Sequence, residues 1–235
     1  MNIHTDLIKS KRFTSSIEPS VLKHSQEYRV LATLRYLFPT QFESMNIGET
    51  PDLQDLENGV GIEVTSAVKE DDMIASRIFS ELCQGEPEEI EKRKEIIKKC
   101  GYSCSLLKGE KFAISSSGTS DEEKLYFQDG IRKKVKKLPR YRTKFTTVGL
   151  AILLPEIPTS YAEAHLSKWI SDSFKVIGNS FDFIYVISHR FCIYYDVQTN
   201  GIEKHSLTQD ESNLLSTIGR MTAEGELSLM DKEWL

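Results

Sequence analysis

The sequence feature that most constrains the fold is a hairpin signal in the first third of the chain. Asn58 and Gly59 separate two segments of alternating apolar character, residues 51–57 and 60–68. Both central residues of such a tight turn need positive φ, which asparagine and glycine tolerate best. With these two residues as the turn, residue 57 faces residue 60, and side chains alternate between the two faces of the ribbon. The pattern therefore predicts two antiparallel strands.

Helix-like and strand-like segments surround this hairpin. A helix is predicted over residues 19–38, where apolar residues recur at 3.6-residue spacing until Pro39 ends the segment. The predicted order beyond the hairpin is a charged helical stretch (71–99), a short strand (111–115), a helix (120–138), a strand (147–154), a helix (159–177) and two strands (181–188 and 191–197). This order predicts an α/β fold with a central mixed β-sheet flanked by helices and with a charged helical insertion.

Length and composition bound the domain organisation. A chain of 235 residues with 39% apolar residues can bury a sizeable core, which excludes a disordered chain. That length fits one elaborated domain better than two equal halves. Residues 1–16 are polar and weakly periodic, which predicts a loose N-terminal arm. We expect residues 17–235 to form a single domain, with a helical insertion or lid over about residues 70–109.

Nothing in the sequence indicates a membrane or an exported protein. The longest apolar run, residues 148–154, has the length of a strand and is far shorter than the roughly 18–20 residues of a membrane span. The first residues lack a basic region followed by an apolar core. The cysteines at positions 83, 100, 104 and 192 are scattered, as is typical of reduced thiols. We therefore expect a cytoplasmic protein with no membrane partner.

Positive charge is concentrated in one segment of an acidic chain. Residues 131–144 contain eight lysines and arginines and no acid, although the whole chain has a net charge of −5. A basic segment on an acidic body suits a polyanion, because each phosphate contact releases condensed counterions. A solvated helix face is the alternative interpretation of the same segment.

Two carboxylates share one face of the predicted hairpin. In the predicted register Asp52 faces Thr65 and Gln54 faces Glu63, so Asp52 and Glu63 are diagonal neighbours, with backbones roughly 7–8 Å apart. Neighbouring carboxylates repel unless a cation lies between them, and Mg²⁺ or Mn²⁺ is the expected occupant of an oxygen-rich site. Two ordinary exposed strand carboxylates are the alternative.

One acid and one amine interrupt apolar helix faces. Glu27 falls inside the apolar arc of the first helix, and Lys134 lies at the edge of the apolar arc of the later one, with Lys137 one step further out. An ionised group on an apolar face is costly unless it is paired or bound to a metal. A buried Glu27–Lys134 ion pair would explain both residues structurally, and a shared site with the hairpin acids would explain them functionally.

Together these residues resemble the PD-(D/E)XK nuclease superfamily, which has the restriction-endonuclease-like fold. The resemblance depends on Pro51-Asp52, on Glu63-Val64-Thr65 eleven positions later, on the preceding helix with Glu27 and on the following α-β-α unit. It covers about residues 20–154, and the segment up to residue 197 is compatible with it.

The chain departs from the family pattern at one catalytic position. The lysine expected two residues after Glu63 is Thr65. Some members of the superfamily carry this lysine on the following helix, and the spacing of Lys134 and Lys137 resembles that arrangement. Lys134 is the first candidate for the relocated amine, and Lys137 is the second.

The resemblance implies a metal-dependent nuclease that hydrolyses phosphodiester bonds in nucleic acid, with DNA as the expected substrate. Asp52, Glu63 and the backbone carbonyl of Val64 would hold Mg²⁺ or Mn²⁺, which would lower the pKa of a bound water. Lys134 or Lys137 would orient or help deprotonate that water, or neutralise charge in the transition state.

Further roles follow from the same resemblance. Glu27 would bind a second ion or hold the catalytic lysine, and cleavage of both strands would be compatible with a homodimer. The basic segment would follow the phosphate backbone through Arg132, Lys133, Lys136, Arg140, Tyr141, Arg142 and Lys144.

Two alternative functions stay open at this point. The first is a catalytically inactive module of this fold that binds nucleic acid or a protein partner. The threonine at position 65, where the family pattern has lysine, favours this alternative. The second is an unrelated α/β interaction protein whose acidic hairpin has no catalytic meaning.

Overall fold

The computed structural model describes most of the chain. It covers residues 18–67, 87–107, 111–116, 120–154, 159–176 and 180–229, together with residues 8, 11, 13, 71, 74, 75, 78, 79 and 82. The described elements in chain order are α1 (Pro19–Leu37), β1 (Asn46–Ile47), β2 (Leu53–Asp55), β3 (Val60–Ser66), α2 (Pro87–Lys99), β4 (Tyr102–Leu107), β5 (Lys111–Ser116), α3 (Ser120–Val135), α4 (Leu138–Tyr141), β6 (Thr147–Leu153), α5 (Thr159–Lys175), β7 (Phe183–Ile187), β8 (Phe191–Asp196), β9 (Ile202–Ser206) and α6 (Gln209–Ala223).

Seven of the described strands form one mixed sheet in the order β1-β2-β3-β6-β7-β8-β9. The central strands β3, β6 and β7 are parallel, and the strands on either side pair antiparallel. Every residue of β7 is buried, and so is every residue of β6 after the first, which agrees with their continuous apolar sequences. The predicted α/β fold with a central mixed sheet is confirmed.

Helices lie against both faces of this sheet. Ile184 and Val186 of β7 belong to a buried apolar cluster that includes residues of α3 and α5, such as Ile131 and Trp169. Tyr185 lies between them in the strand and so points to the opposite face, where its ring contacts Phe38, just beyond α1, at a centroid distance of 5.7 Å.

The hairpin is present, but the predicted register is wrong by two residues. Asp55 pairs with Val60, so the loop spans residues 56–59 and is not a two-residue turn. The buried Asp55 carboxylate explains the longer loop, because it accepts hydrogen bonds from the backbone N–H of Glu57 at 3.1 Å and of Asn58 at 3.0 Å. Gly59 supplies the positive φ, +66°, as expected for this position.

The observed register places the two hairpin acids, Asp52 and Glu63, closer together than the predicted one does. Because the shift is an even number of residues, every side chain keeps its predicted face. Leu53 pairs with Ile62, and continuing the register by one residue places Asp52 directly opposite Glu63 instead of diagonal to it.

Helix α6 holds α1 in place, although the sequence interpretation had assigned no element beyond residue 197. A capping box formed by Thr208 and Glu211 starts α6. A Cβ atom at Gly219 would lie 2.7 Å from the carbonyl oxygen of Ser25 and 2.8 Å from the backbone nitrogen of Arg29. Only glycine permits this close approach, which fixes the turn of α1 that carries Glu27.

The chain divides into two compact units. The seven-stranded sheet belongs to one unit together with α1, α4, α5, α6 and the part of α3 from Phe127 onward, and the other unit is formed largely by residues 68–126. Within the second unit α2 packs against the β4–β5 hairpin, and Ile78, Leu82 and Ile97 form a small buried cluster. The predicted helical insertion, residues 70–109, falls inside this unit, which also contains the β4–β5 hairpin and extends to residue 126.

Of the predicted N-terminal arm, residues 8, 11 and 13 are described, where Ile8 is buried and Lys11 pairs with Glu226. Cys192 is a buried thiol, Cys100 and Cys104 are half-buried, and Cys83 lies outside the described residues. Within the described ranges no helix combines the length and apolar character needed to cross a bilayer.

Candidate active site

Three carboxylates from separate segments are almost completely buried. Glu27 on α1 is 2% exposed, Asp52 just before β2 is 3% exposed, and Glu63 on β3 is 1% exposed. The burial of Glu27 agrees with its predicted position on the apolar arc. Since a buried carboxylate needs a compensating partner, the contacts of these three groups define the site.

Glu63 is the most fully satisfied of the three. Its Oε1 accepts hydrogen bonds from the Nζ of Lys134 at 2.5 Å and the Nζ of Lys137 at 2.9 Å, and its Oε2 accepts one from the Tyr141 hydroxyl at 2.6 Å. Burial alone would raise the pKa of Glu63, but the hydrogen bonds from Lys134 and Tyr141 outweigh it and lower the pKa below its ordinary value. Glu63 is therefore ionised at neutral pH.

The structure shows how α3 supplies an amine near the position where the family pattern expects one on the strand. Thr65 lies on the same face as Glu63, and a Cβ atom at Gly130 of α3 would lie 3.6 Å from its Cγ2. Lys134 follows Gly130 by one helical turn, which brings its ammonium to Glu63. Both candidate lysines contact Glu63, but they differ in burial: the Lys134 side chain is 17% exposed and the Lys137 side chain is 54% exposed.

Asp52 is buried with weaker compensation. Its Oδ2 accepts a hydrogen bond from the Val64 backbone N–H at 2.8 Å. Burial raises the pKa of Asp52 to about 6, and the charge of Glu63 adds to this rise, while the Val64 hydrogen bond and the charge of Lys134 oppose it. The N–H and C=O of one strand residue point to the same edge, so the Val64 carbonyl also lies on the Asp52 side.

Glu27 is paired within its own helix. The Nζ of Lys23 lies 2.9 Å from Glu27 Oε1 and 3.5 Å from Asp52 Oδ1, and Nδ1 of His24 lies 2.9 Å from Glu27 Oε2. Among the described residues, Oε1 of Glu27 nevertheless has no aligned hydrogen-bond donor. The contact with Glu27 raises the pKa of Lys23 above its ordinary value; burial opposes this rise and the charge of Asp52 adds to it.

The alternative interpretation that paired Glu27 with Lys134 is wrong, because Lys134 bonds to Glu63. The sequence interpretation also missed Lys23 and His24 as members of the site. Their positions four and three residues before Glu27 were the available signal, since residues at this spacing meet on one helix face.

The basic segment divides into exposed cations and residues with internal partners. Lys133, Lys136, Arg140 and Lys144 are exposed, and none of them forms an ion pair within the part of the chain that the structure describes. Tyr141 is buried against Glu63, so its expected contact with a phosphate backbone is wrong. Arg132 pairs with Asp129 at 3.1 Å and Arg142 pairs with Asp182 at 3.2 Å, and their expected contacts stay predictions.

Comparisons of the chain with protein-family models, with curated proteins and with solved structures find no match. The resemblance to the nuclease superfamily therefore rests on the sequence motifs of this chain alone.

The site residues fit a hard divalent cation in their chemistry. Among the described residues no group of three or more histidines, cysteines, aspartates or glutamates is arranged to hold a metal ion as it stands. The available donors are carboxylate oxygens and one backbone carbonyl, which Mg²⁺ and Mn²⁺ prefer. A cationic ammonium, that of Lys23, already lies against both Glu27 and Asp52, and Oε1 of Glu27 accepts no aligned hydrogen bond from any described residue.

Proposed function

We propose that the chain is a metal-dependent nuclease that hydrolyses phosphodiester bonds in DNA, with Mg²⁺ or Mn²⁺ as its ion. The observation that carries the proposal is the contact of Lys134 with Glu63, on the strand directly opposite Asp52. The superfamily resemblance requires two neighbouring carboxylates and an amine beside the second one. Asp52 just before β2, Glu63 on β3 and Lys134 on α3 would supply them.

The ion would be held by Asp52, Glu63 and the Val64 carbonyl, with Glu27 beside them. When bound, it would supply Lewis-acid stabilisation of charge on the phosphate oxygens and would lower the pKa of a coordinated water. Lys134 would offset the negative charge that develops on the phosphate in the transition state, from a position already fixed by its contact with Glu63.

The residues around Glu63 would position both the Glu63 carboxylate and the substrate. Tyr141 holds the second oxygen of Glu63, so that the carboxylate keeps one orientation. The exposed cations flank Lys134 and Lys137 in the chain and would provide sequence-independent contacts for a phosphate backbone (Lys133, Lys136, Arg140 and Lys144).

A second candidate function is a module of the same fold that binds nucleic acid without cleaving it. The observation that favours it is the complete engagement of Glu63, whose two oxygens accept three hydrogen bonds from within the chain. Such a module would bind DNA through its exposed cations and would be insensitive to chelation of divalent ions.

Incubation of the purified full-length chain with a nucleic-acid panel tests the proposal. The panel contains linear and circular single-stranded DNA, duplex DNA and RNA, each with Mg²⁺, Mn²⁺ or EDTA. We expect divalent-ion-dependent cleavage of DNA that is lost in Glu63→Gln and in Lys134→Met. Lys204→Met is the matched control, because Lys204 on β9 also pairs with a glutamate, Glu163, but lies at the opposite edge of the sheet.

The possible results separate the two candidate functions. Cleavage that persists in Glu63→Gln would come from a contaminant or another site and would contradict the proposal. An intact panel under all conditions, with DNA binding that survives EDTA, would reject the nuclease and support the binding module.

A further inference from the structure

Lys23 occupies an unusual position among the charged side chains of the site. Its side chain is 66% exposed, yet its ammonium contacts two carboxylates that are each less than 5% exposed. Glu27 is fixed by the close packing of α1 on α6, and Asp52 is fixed by the Val64 N–H. The movable partner in this cluster is therefore the lysine, whose long aliphatic chain can swing its charge into solvent.

The ammonium and a divalent ion would need the same two oxygens. An ion bound by Asp52 and Glu27 would face Asp52 Oδ1 and Glu27 Oε1, which are the atoms that Lys23 contacts. Two cations on the same pair of oxygens repel each other, so binding of the ion requires the ammonium to leave.

We propose that Lys23 competes with the divalent cation for Glu27 and Asp52, and that a substrate phosphate relieves this competition by attracting the Lys23 ammonium. The inference rests on the proposed function, since it assigns the regulation of the same site. Its consequence is that substrate and ion promote each other's binding, and by thermodynamic linkage the coupling has the same size in both directions.

Binding of Mn²⁺ to the full-length chain, followed by the electron paramagnetic resonance signal of the free ion, tests the competition without any cleavage assay. Lys23→Met should bind Mn²⁺ about fivefold to tenfold more tightly than the wild-type protein, a coupling of ordinary size for linked sites. Lys23→Arg keeps the charge and should bind Mn²⁺ as the wild-type protein does. Lys204→Met, the matched exposed lysine, should leave the affinity unchanged.

The phosphate part of the proposal needs a substrate that is not hydrolysed. A phosphorothioate DNA oligonucleotide should raise the Mn²⁺ affinity of the wild-type protein towards that of Lys23→Met, after correction for Mn²⁺ bound by the oligonucleotide alone. The same oligonucleotide should change the affinity of Lys23→Met much less, because that variant has no ammonium to displace.

The outcomes distinguish this inference from the proposed function. If the wild-type protein and Lys23→Met bind Mn²⁺ equally, and Asp52→Asn abolishes the binding, the ion site stands and the competition is refuted. Weaker binding by Lys23→Met also refutes it, since Lys23 would then support the site. If no variant binds Mn²⁺ at all, both the inference and the proposed metal-dependent activity are overturned.

Discussion

Replacement of Asp52 by asparagine should stabilise the protein at neutral pH, although it removes a residue of the proposed active site. Asparagine keeps an oxygen that can accept the hydrogen bond from the Val64 N–H. It removes a buried negative charge that lies close to Glu63 and Glu27. The stabilisation therefore measures how strongly the folded chain disfavours the ionised form of Asp52.

The magnitude follows from the pKa of Asp52. Burial and the neighbouring carboxylates raise it from 3.8 to about 6. At about 1.4 kcal/mol per pKa unit, a rise of about two units costs the folded state about 3 kcal/mol when the group is ionised. Loss of the contact with the largely exposed Lys23 offsets less than about 1 kcal/mol of this gain, so we expect Asp52→Asn to be more stable by about 2–3 kcal/mol.

The pH dependence has a definite sign. Because the folded-state pKa is raised, folded Asp52 holds its proton between about pH 4 and pH 6 while unfolded Asp52 releases it. The wild-type protein should lose stability as the pH rises through this window, and Asp52→Asn should not. The difference between them should be full above about pH 6 and absent below about pH 4.

Urea unfolding in EDTA at pH 7.5, 5 and 4 measures this difference. Asp55→Asn is the control with the opposite sign. Burial acts to raise the pKa of Asp55, but hydrogen bonds from Asn58 and Ser44 outweigh it and lower the pKa, so this variant should be destabilised at pH 7.5. A difference for Asp52→Asn that is destabilising, or that stays the same at all three pH values, would refute the reasoning.

Three further predictions follow from the same contacts. Lys134→Met should lower the free energy of unfolding by about 2–3 kcal/mol, because it removes a largely buried partner of Glu63. Lys137 is more exposed, so Lys137→Met should lower the free energy of unfolding by less than about 1 kcal/mol. Urea titration of both variants measures the difference. Thr65→Lys should restore part of the metal-dependent cleavage to Lys134→Met, as an ammonium from the strand replaces the one from α3; a nuclease assay against Lys134→Met alone checks this. Lys133→Met and Lys136→Met should each weaken DNA binding and reduce the slope of log affinity against log salt by about 0.9, measured by fluorescence anisotropy, with unfolding unchanged.

Much of the sheet could be predicted from local patterns, because its central strands are short apolar runs bounded by turn residues. The hairpin register could not, since it depends on the bonds that Asp55 makes to the backbone of its own loop. Helix α6 had a readable signal in Thr208 and Glu211, the residues of its capping box. Strand β9 had little signal, because it is an edge strand with a mostly exposed sequence.

The members of the site were more predictable than their pairing. Helical spacing identified Glu27 and Lys134 as charged residues near apolar faces, and strand alternation placed Asp52 and Glu63 on one face. Such patterns indicate which way a side chain points but not which element lies opposite. The contacts of Lys134 with Glu63 and of Lys23 with Asp52 depend on the packing of helices against the sheet, which no local pattern contains.

The unequal compensation of the three buried carboxylates of the candidate site, Glu27, Asp52 and Glu63, supports the proposed functional interpretation over a purely structural one. Glu63 is held by two ammonium groups and a phenol, as a buried ion in a stable fold should be. Asp52 and Glu27 instead depend on a single backbone N–H, an exposed histidine and a movable lysine. A chain selected only for stability gains nothing from two poorly compensated acids side by side. Under the proposed function, a divalent cation would compensate both acids, and it would bind on the side of the cluster that Lys23 now covers.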